Sequence, residues 1–231
     1  MSQLPAFDPK TVPVTRVDHD LPAVPLRALS ESALRQRFDS PPVWTPELVR
    51  ERKFMDRQPA QAAVLLGLVM RDEPMVLLTQ RTAHLKKHGG QISFPGGRSE
   101  PSDLTPVATA LREAQEEVGL APERVEVLGT LPTYTTGTGF VVTPVVGLID
   151  PVPDELDRLN LVHDPNEVDE VFEVPMSFLM DPRHHQRRAF DLAGTKLEFY
   201  SMPWQSSPDK EYFIWGATAA MLRNLYRFLS A

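Results

Sequence analysis

Apolar residues in the central part of the chain are grouped in blocks whose lengths predict strands. Ala62–Met70 is a continuous apolar run, and Met75–Gln80 is a second one after a polar turn. Apolar runs of this length, bounded by turn residues, predict two strands of a buried hairpin. Further strands are predicted at Val125–Leu131, Val141–Ile149 and Val168–Val174, with a second hairpin formed by His185–Leu192 and Lys196–Met202.

Two longer segments have apolar residues at helical spacing. Thr105–Val118 is followed by Gly119, a residue type that commonly ends helices. Ala217–Leu229 places a single apolar stripe against a core, and Pro175–Met180 is predicted to be a short helix. Strands, a helix, more strands and a final helix predict an α/β protein, a sandwich with a mixed sheet rather than a regular parallel array.

The first quarter of the chain has a different composition from the rest. Residues 1 to about 58 are rich in proline and charge, with short helical patterns at Ser30–Phe38 and Thr45–Lys53. Each pattern begins at a residue type that caps helices. We interpret residues 1–58 as an arm that contributes packing rather than chemistry, and residues 59–231 as the functional domain.

Charge and cysteine content exclude several classes of function. The chain has 31 acidic and 24 basic residues, a formal charge of −7, and no cysteine. An acidic chain has no general attraction for nucleic acid or an anionic membrane, so neither is an expected partner. Without cysteine there are no disulfides, thiolate zinc sites or cysteine nucleophiles. The longest apolar run is too short to span a bilayer. The N-terminus has no secretory signal pattern, so a cytoplasmic location is expected.

The predicted helix Thr105–Val118 carries an unusual acidic cluster. Glu113, Glu116 and Glu117 lie on the side away from the apolar stripe. Like charges three and four positions apart destabilise a helix, and the dipole disfavours anions near its C-terminus. A divalent cation such as Mg²⁺ would remove this conflict, and Arg112 is placed to hold Glu116 at i+4. The alternative is a solvated acidic surface.

A glycine pair precedes this helix and strengthens the cation interpretation. Gly96 and Gly97 follow the strand-like segment Ile92–Phe94. Without a Cβ atom, their backbone can approach a metal or a phosphate closely. A plain turn is the alternative for the glycines alone, but glycines followed by an acidic residue and then Arg-Glu-x-x-Glu-Glu-x-Gly form a far rarer combination.

Gly97 and the segment Arg112–Leu120 resemble the Nudix box, G-x5-E-x7-R-E-U-x-E-E-x-G-U, in which U is a bulky aliphatic residue. The second half matches closely, with a small Ala114 at the first U position. The first half departs from the pattern: Asp103 stands where the family has Glu, and eight residues rather than seven separate it from Arg112. The departure puts the role of Asp103 in question.

The resemblance implies a Nudix-type α/β/α sandwich and hydrolysis of a nucleoside diphosphate linked to another moiety. It implies that Mg²⁺ or Mn²⁺ binds to Glu113 and Glu117 first, then to Glu116, with the Gly97 carbonyl as a further ligand. Arg112 is a further catalytic candidate, because it can hold the carboxylate of Glu116 in place. For the general base we favour Glu116 over Glu113, and two later glutamates, Glu167 and Glu170, are further candidates.

The segment before the box resembles the signature of the coenzyme A pyrophosphatase branch of the family. The matching residues are Leu77–Thr82, Leu85, His88, Gly90 and Phe94–Gly97. The resemblance implies a coenzyme A substrate, and Arg81, Lys86 and Lys87 would supply positive charge for its phosphates, with Gly96 and Gly97 close to them.

Other functions stay open for the sequence. One alternative is a different Nudix substrate, such as ADP-ribose or a dinucleotide. Another is a regulator that only binds a nucleotide. Tyr134 and Phe140 either stack on an adenine ring or pin their loop to the core.

Overall fold

A computed structural model describes residues 7–51, 58–84, 89–152, 158–192 and 195–231, which form two sheets with helices packed on them. The larger sheet contains β2 (Ala60–Val69), β3 (Met75–Arg81), β4 (Ile92–Ser93), β5 (Gly96–Arg98), β6 (Val125–Thr130), β7 (Tyr134–Thr135), β8 (Phe140–Ile149) and β9 (Val168–Pro175). The smaller sheet contains β1 (Val14–Val17), β10 (Gln186–Leu192), β11 (Thr195–Ser207) and β12 (Lys210–Trp215) in that order. The helices are α1 (Glu31–Asp39), α2 (Pro106–Val118), α3 (Met176–Leu179) and α4 (Gly216–Leu229).

The larger sheet is mixed and is covered on both faces. Strands β2 and β8 run parallel at its centre, whereas β2 pairs antiparallel with β3 and with β5. One face packs on α2 through Ala63, Leu65, Val145, Ala110, Ala114 and Val118. The opposite face packs on α4 through Leu66, Leu68, Val146, Leu222 and Leu225. Burial of both faces explains why these strands are continuous apolar runs in the sequence, and the predicted mixed α/β sandwich is confirmed.

Helix α2 begins and ends where the sequence predicts. The Thr105 hydroxyl accepts a hydrogen bond from the Ala108 N–H over 3.1 Å, and Pro106 occupies the first turn. At the other end Gly119 has a φ of 70° and closes the helix as a left-handed cap. This short, capped helix is what carries the acidic cluster across the face of β2 and β5.

Helix α4 is more deeply buried than the predicted single stripe requires. Arg223 and Asn224 are 1% and 2% exposed, although both are polar. Arg223 is paired with Asp18 at 2.9 Å, and the Asn224 amide oxygen accepts the N–H groups of Glu47 and Leu48. These partners all come from the N-terminal arm, so the arm and α4 cover each other.

The arm contains one predicted helix and lacks the other. Ser30 caps α1, and Leu34 of this helix is fully buried in the core. The helix predicted at Thr45–Lys53 is wrong over its described part, residues 45–51, which has no helical structure. The reason is that its backbone is engaged elsewhere: Leu48 with Asn224, and Val49 and Glu51 with Thr135 of β7. Residues 52 and 53 of the predicted helix lie outside the described residues.

None of the helices in the described part of the chain is long and apolar enough to cross a lipid bilayer.

Candidate active site

The glycine turn and the acidic helix meet at Gly97 and Glu113. Strand β5 pairs Gly97 with Ala63 of β2, and this pairing places the Gly97 backbone beneath the C-terminal half of α2. A Cβ atom at position 97 would overlap both carboxylate oxygens and the carboxyl carbon of Glu113. Glycine is therefore required at position 97 by the close approach of a carboxylate. The approach of this backbone to a metal or a phosphate stays a prediction.

Glu117 is the most deeply buried carboxylate of the acidic cluster. Its side chain is 4% exposed. The Gly96 N–H donates to Oε2 of Glu117 over 3.0 Å, and Nη1 of Arg81 lies 3.1 Å from Oε1. Gly96 itself has no room for a side chain, because a Cβ atom would lie 2.5 Å from the Ala63 carbonyl oxygen. Both carboxylate oxygens of Glu117 thus have partners that come from outside α2.

Arg112 gathers the remaining carboxylates. Its guanidinium makes two hydrogen bonds to Asp103, of 3.1 and 2.9 Å. It also lies 2.9 Å from Oε1 of Glu113 and 2.8 Å from Oε2 of Glu116. A bidentate pair of this kind fixes the plane of the guanidinium. Asp103, whose role the extra residue left in question, is therefore the anchor that orients Arg112 towards the two glutamates.

Arg81 comes from outside the acidic helix and completes the cluster. It ends β3, and its second terminal nitrogen lies 3.7 Å from the carboxylate of Glu167, in the loop before β9. Five carboxylates therefore share two guanidinium groups: Arg112 pairs with Asp103, Glu113 and Glu116, and Arg81 pairs with Glu117 and Glu167. From the sequence we predicted that Arg81 lies near the substrate phosphates. Its contact with Glu117 was not predicted, because β3 and α2 are far apart along the chain.

The pKa values of the carboxylates in this cluster are shifted in opposite directions, upwards by burial and downwards by hydrogen bonds from Arg112. Burial raises the pKa of Glu117 to about 7, although the Gly96 N–H and Arg81 oppose the shift. Burial also raises the pKa of Glu113, where Arg112 opposes it. By contrast, the hydrogen bonds from Arg112 hold the pKa of Asp103 well below its usual range. Glu113 and Glu117 are thus held in an environment that penalises their negative charge, whereas Asp103 is stabilised as an anion.

The carboxylate cluster is chemically suited to a divalent cation. Oxygen ligands are what Mg²⁺ and Mn²⁺ take, and an added positive charge would relieve the penalty on Glu113 and Glu117. Among the described residues, no three acidic or histidine side chains already surround one point as metal ligands. The reason is visible in the ion pairs, because Glu116 turns to Arg112 and Glu117 to Arg81.

Three other predicted groups lie elsewhere or outside the described residues. Lys86 and Lys87 fall in residues 85–88, which the structure does not describe. Glu170 accepts hydrogen bonds from Lys210 and Tyr212 of β12. Tyr212 belongs to the core on the face of the sheet opposite α2, so Glu170 points away from the acidic cluster. Glu167 is the later glutamate that lies at the cluster.

Tyr134 pins its loop to the core instead of presenting a free ring. It is 3% exposed, and its hydroxyl donates to the Glu51 carboxylate over 3.3 Å. Its ring is therefore not available to stack on a nucleotide base.

Comparison with known proteins gives one family for this architecture. The model of the NUDIX domain matches residues 59–191. The chain is 45% identical over 166 residues to the "Uncharacterized Nudix hydrolase NudL" of Citrobacter koseri, which covers 71% of this chain and 80% of that protein. The protein of the same name from Salmonella newport is 43% identical over the same shares of the two chains. Among solved structures, the Nudix hydrolase RenU from M. smegmatis is 25% identical, with a TM-score of 0.42 over 52% of this chain and 73% of that one.

Proposed function

The chain belongs to the NUDIX domain family, and we propose that it hydrolyses the diphosphate bond of coenzyme A or its derivatives. The products would be 3′,5′-ADP and 4′-phosphopantetheine or its acylated form. One observation carries the proposal. Strand β3, which contains the residues that resemble the coenzyme A branch, brings Arg81 into contact with Glu117 of the Nudix box. The two sequence signatures therefore meet in one site.

We assign the cation to the box glutamates. Glu113 and Glu117 would hold Mg²⁺ or Mn²⁺, with Glu116 and the Gly97 carbonyl as further ligands. When bound, the cation would neutralise charge on the diphosphate and activate water at neutral pH. Asp103 and Arg112 keep Glu113 and Glu116 in position, since the guanidinium contacts all three carboxylates.

Proton transfer in this proposal falls to Glu116, with Glu113 as the second choice. The Glu116 side chain is 60% exposed, so a water molecule can reach it, and the Arg112 contact of 2.8 Å holds it beside Glu113. A general base must lie within hydrogen-bonding reach of the proton that it takes. Glu167, half exposed and paired with Arg81, is a further candidate at the same site.

Substrate phosphates would meet the basic residues at the end of β3. Arg81 is 24% exposed and reaches the cluster through its contact with Glu117. With Lys86 and Lys87 it would supply local positive charge in a chain of formal charge −7.

A substrate panel tests the proposal. Purified protein with Mg²⁺ is assayed against coenzyme A, acetyl-coenzyme A, ADP-ribose, NADH and diadenosine polyphosphates. We expect the highest kcat/KM for coenzyme A or its acetyl form. A preference of about tenfold for ADP-ribose or NADH, equivalent to about 1.4 kcal/mol of transition-state stabilisation, would contradict the substrate and leave the hydrolase class intact. Binding without turnover of any of them would favour a regulator.

A further inference from the structure

The contact between Arg81 and Glu117 joins a rigid strand to the acidic helix. The Arg81 N–H donates to the Gln91 carbonyl over 2.9 Å, and the Arg81 carbonyl accepts the Gly90 N–H over 3.0 Å. Strand β9 pairs with β3 up to this residue. Hydrogen bonds on two sides thus hold the backbone of Arg81 in place, and its guanidinium extends from this backbone to Glu117.

The cations of the site are divided unequally between the carboxylates. Arg112 is occupied by Asp103, Glu113 and Glu116. Within the described ranges, Arg81 is the cation that pairs with Glu117, the most buried carboxylate of the set. A buried carboxylate without a counter-charge destabilises a protein strongly. Arg81 therefore supplies the counter-charge that Glu117 does not receive from Arg112 of the Nudix box.

The position of Glu117 does not depend on Arg81 alone. The Gly96 N–H donates to the other carboxylate oxygen, Oε2, over 3.0 Å. The Glu117 side chain is also packed between α2 and β5, with 4% of it exposed. Loss of the guanidinium would leave this carboxylate in place, with its Oε1 oxygen open to another cation.

We propose that Arg81 is the resident counter-ion of Glu117 and that a divalent cation displaces it, so that guanidinium and metal compete for one carboxylate. This inference rests on the proposed function only in taking Glu117 as a metal ligand. Two positive charges held within a few ångströms of each other repel, so binding of the metal is coupled negatively to the ion pair. The displaced guanidinium stays beside Glu167, at the exposed edge of the cluster.

The test is the Mn²⁺ affinity of the protein without substrate, measured at one pH by electron paramagnetic resonance or calorimetry. Coupling free energies between sites commonly correspond to 5- to 150-fold changes in affinity, so we expect Arg81→Gln to bind Mn²⁺ roughly tenfold more tightly than the wild type. Arg81→Lys, which keeps the charge but loses the planar fork, should move the affinity in the same direction by a smaller factor. Melting curves in EDTA should show a lower Tm for Arg81→Gln, because Glu117 has lost its partner.

Arg98→Gln is the matched control. Arg98 lies in β5, beside Gly97, and its side chain makes no ion pair with any residue that the structure describes. Arg98→Gln removes one positive charge near the site, as Arg81→Gln does, but leaves the ion pair of Glu117 intact. Its Mn²⁺ affinity should stay within about twofold of the wild type, because an exposed charge is screened.

Unchanged or weaker Mn²⁺ binding by Arg81→Gln would overturn the inference and make Arg81 a purely structural partner. If Arg81→Gln does not fold, Arg81→Lys decides by the same criterion. Glu117→Gln distinguishes the counter-ion role of Arg81 from the assignment of Glu117 as a metal ligand. If it binds Mn²⁺ as tightly as the wild type, Glu117 is not a ligand, and both this inference and the metal assignment fail. If it loses Mn²⁺ while Arg81→Gln gains nothing, only the counter-ion role fails and the proposed function stands.

Discussion

Replacing Glu117 by Gln should change the pH dependence of stability in a way that the structure specifies. Burial raises the pKa of Glu117 to about 7 from its usual value of 4.5. Between these values the folded protein binds a proton that the unfolded chain does not. The metal-free wild type is therefore stabilised at low pH and loses this contribution as the pH rises through 4.5 to 7. Gln has no such proton to lose.

The size of the effect follows from the shift. One pKa unit corresponds to about 1.4 kcal/mol, so the shift of Glu117 amounts to roughly 3 kcal/mol. The carboxyl is almost fully buried, so solvent screening does not reduce this value much. Near pH 5 the protonated Glu117 and Gln are both neutral and similar in shape. The two proteins should then be almost equally stable, and at pH 8 the variant should be more stable by up to roughly 3 kcal/mol.

Urea unfolding in EDTA at pH 5, 6, 7 and 8 measures this difference. Glu116→Gln is the matched control, since its side chain is 60% exposed and lies one position away. Substitution at this exposed position should change the free energy of unfolding by no more than about 0.5 kcal/mol. Mg²⁺ at about 1,000 times its Kd at pH 8 should reverse the order, because it stabilises the folded wild type by about 4.1 kcal/mol and the variant has lost part of the site.

A difference between Glu117→Gln and the wild type that does not change with pH would refute the reasoning, since it would mean that Glu117 is charged at no cost in the metal-free protein. Destabilisation of the variant at pH 8 by more than about 1 kcal/mol would make the carboxylate structural instead.

Three further substitutions test other parts of the site and core. Gly97→Ala places a methyl group against the Glu113 carboxylate. Displacement of this carboxylate by about 1 Å should lower kcat about a hundredfold. An unchanged kcat would show that Gly97 is not part of the site. Asp103→Asn weakens the anchor of Arg112 and should reduce kcat/KM roughly ten- to a hundredfold, whereas wild-type kinetics would return Asp103 to a surface role. Burial lowers the pKa of His185 to about 4, so the unfolded chain takes up a proton first as the pH falls from 6.5. The wild type should therefore lose roughly 3 kcal/mol of stability relative to His185→Gln between pH 6.5 and pH 4, measured as the difference between the two proteins in urea titrations.

Much of the fold was predictable because apolar runs mark the strands and capping residues mark the ends of the helices. The apolar run Ala62–Met70 forms most of β2, which ends at Val69, and both faces of the strand are covered. Thr105 and Gly119 mark the ends of α2 through their side-chain and backbone chemistry. The Thr45–Lys53 helix failed because its described backbone bonds to Asn224 and Thr135, contacts that local propensity does not encode.

The site was predictable as far as its residues lie on one element. Arg112 and Glu116 are four positions apart, so their contact follows from the period of α2. The contact between the adjacent residues Arg112 and Glu113 does not follow from that period. Asp103 and Arg81 required tertiary structure. The extra residue before α2 is taken up in a loop that still brings Asp103 to Arg112, and β3 delivers Arg81 from 36 residues before Glu117. Positions of this kind depend on the register of strands, which the sequence alone does not set.

The most direct test of the account is the appearance of 3′,5′-ADP from coenzyme A. Wild-type protein and Glu117→Gln are each incubated with coenzyme A in Mg²⁺ and in EDTA, and the products are separated and quantified by chromatography. The account predicts equal amounts of 3′,5′-ADP and 4′-phosphopantetheine from the wild type in Mg²⁺. It predicts none in EDTA and a yield lower by orders of magnitude from the variant. Absence of 3′,5′-ADP from the wild type in Mg²⁺, or undiminished turnover by Glu117→Gln, would contradict it.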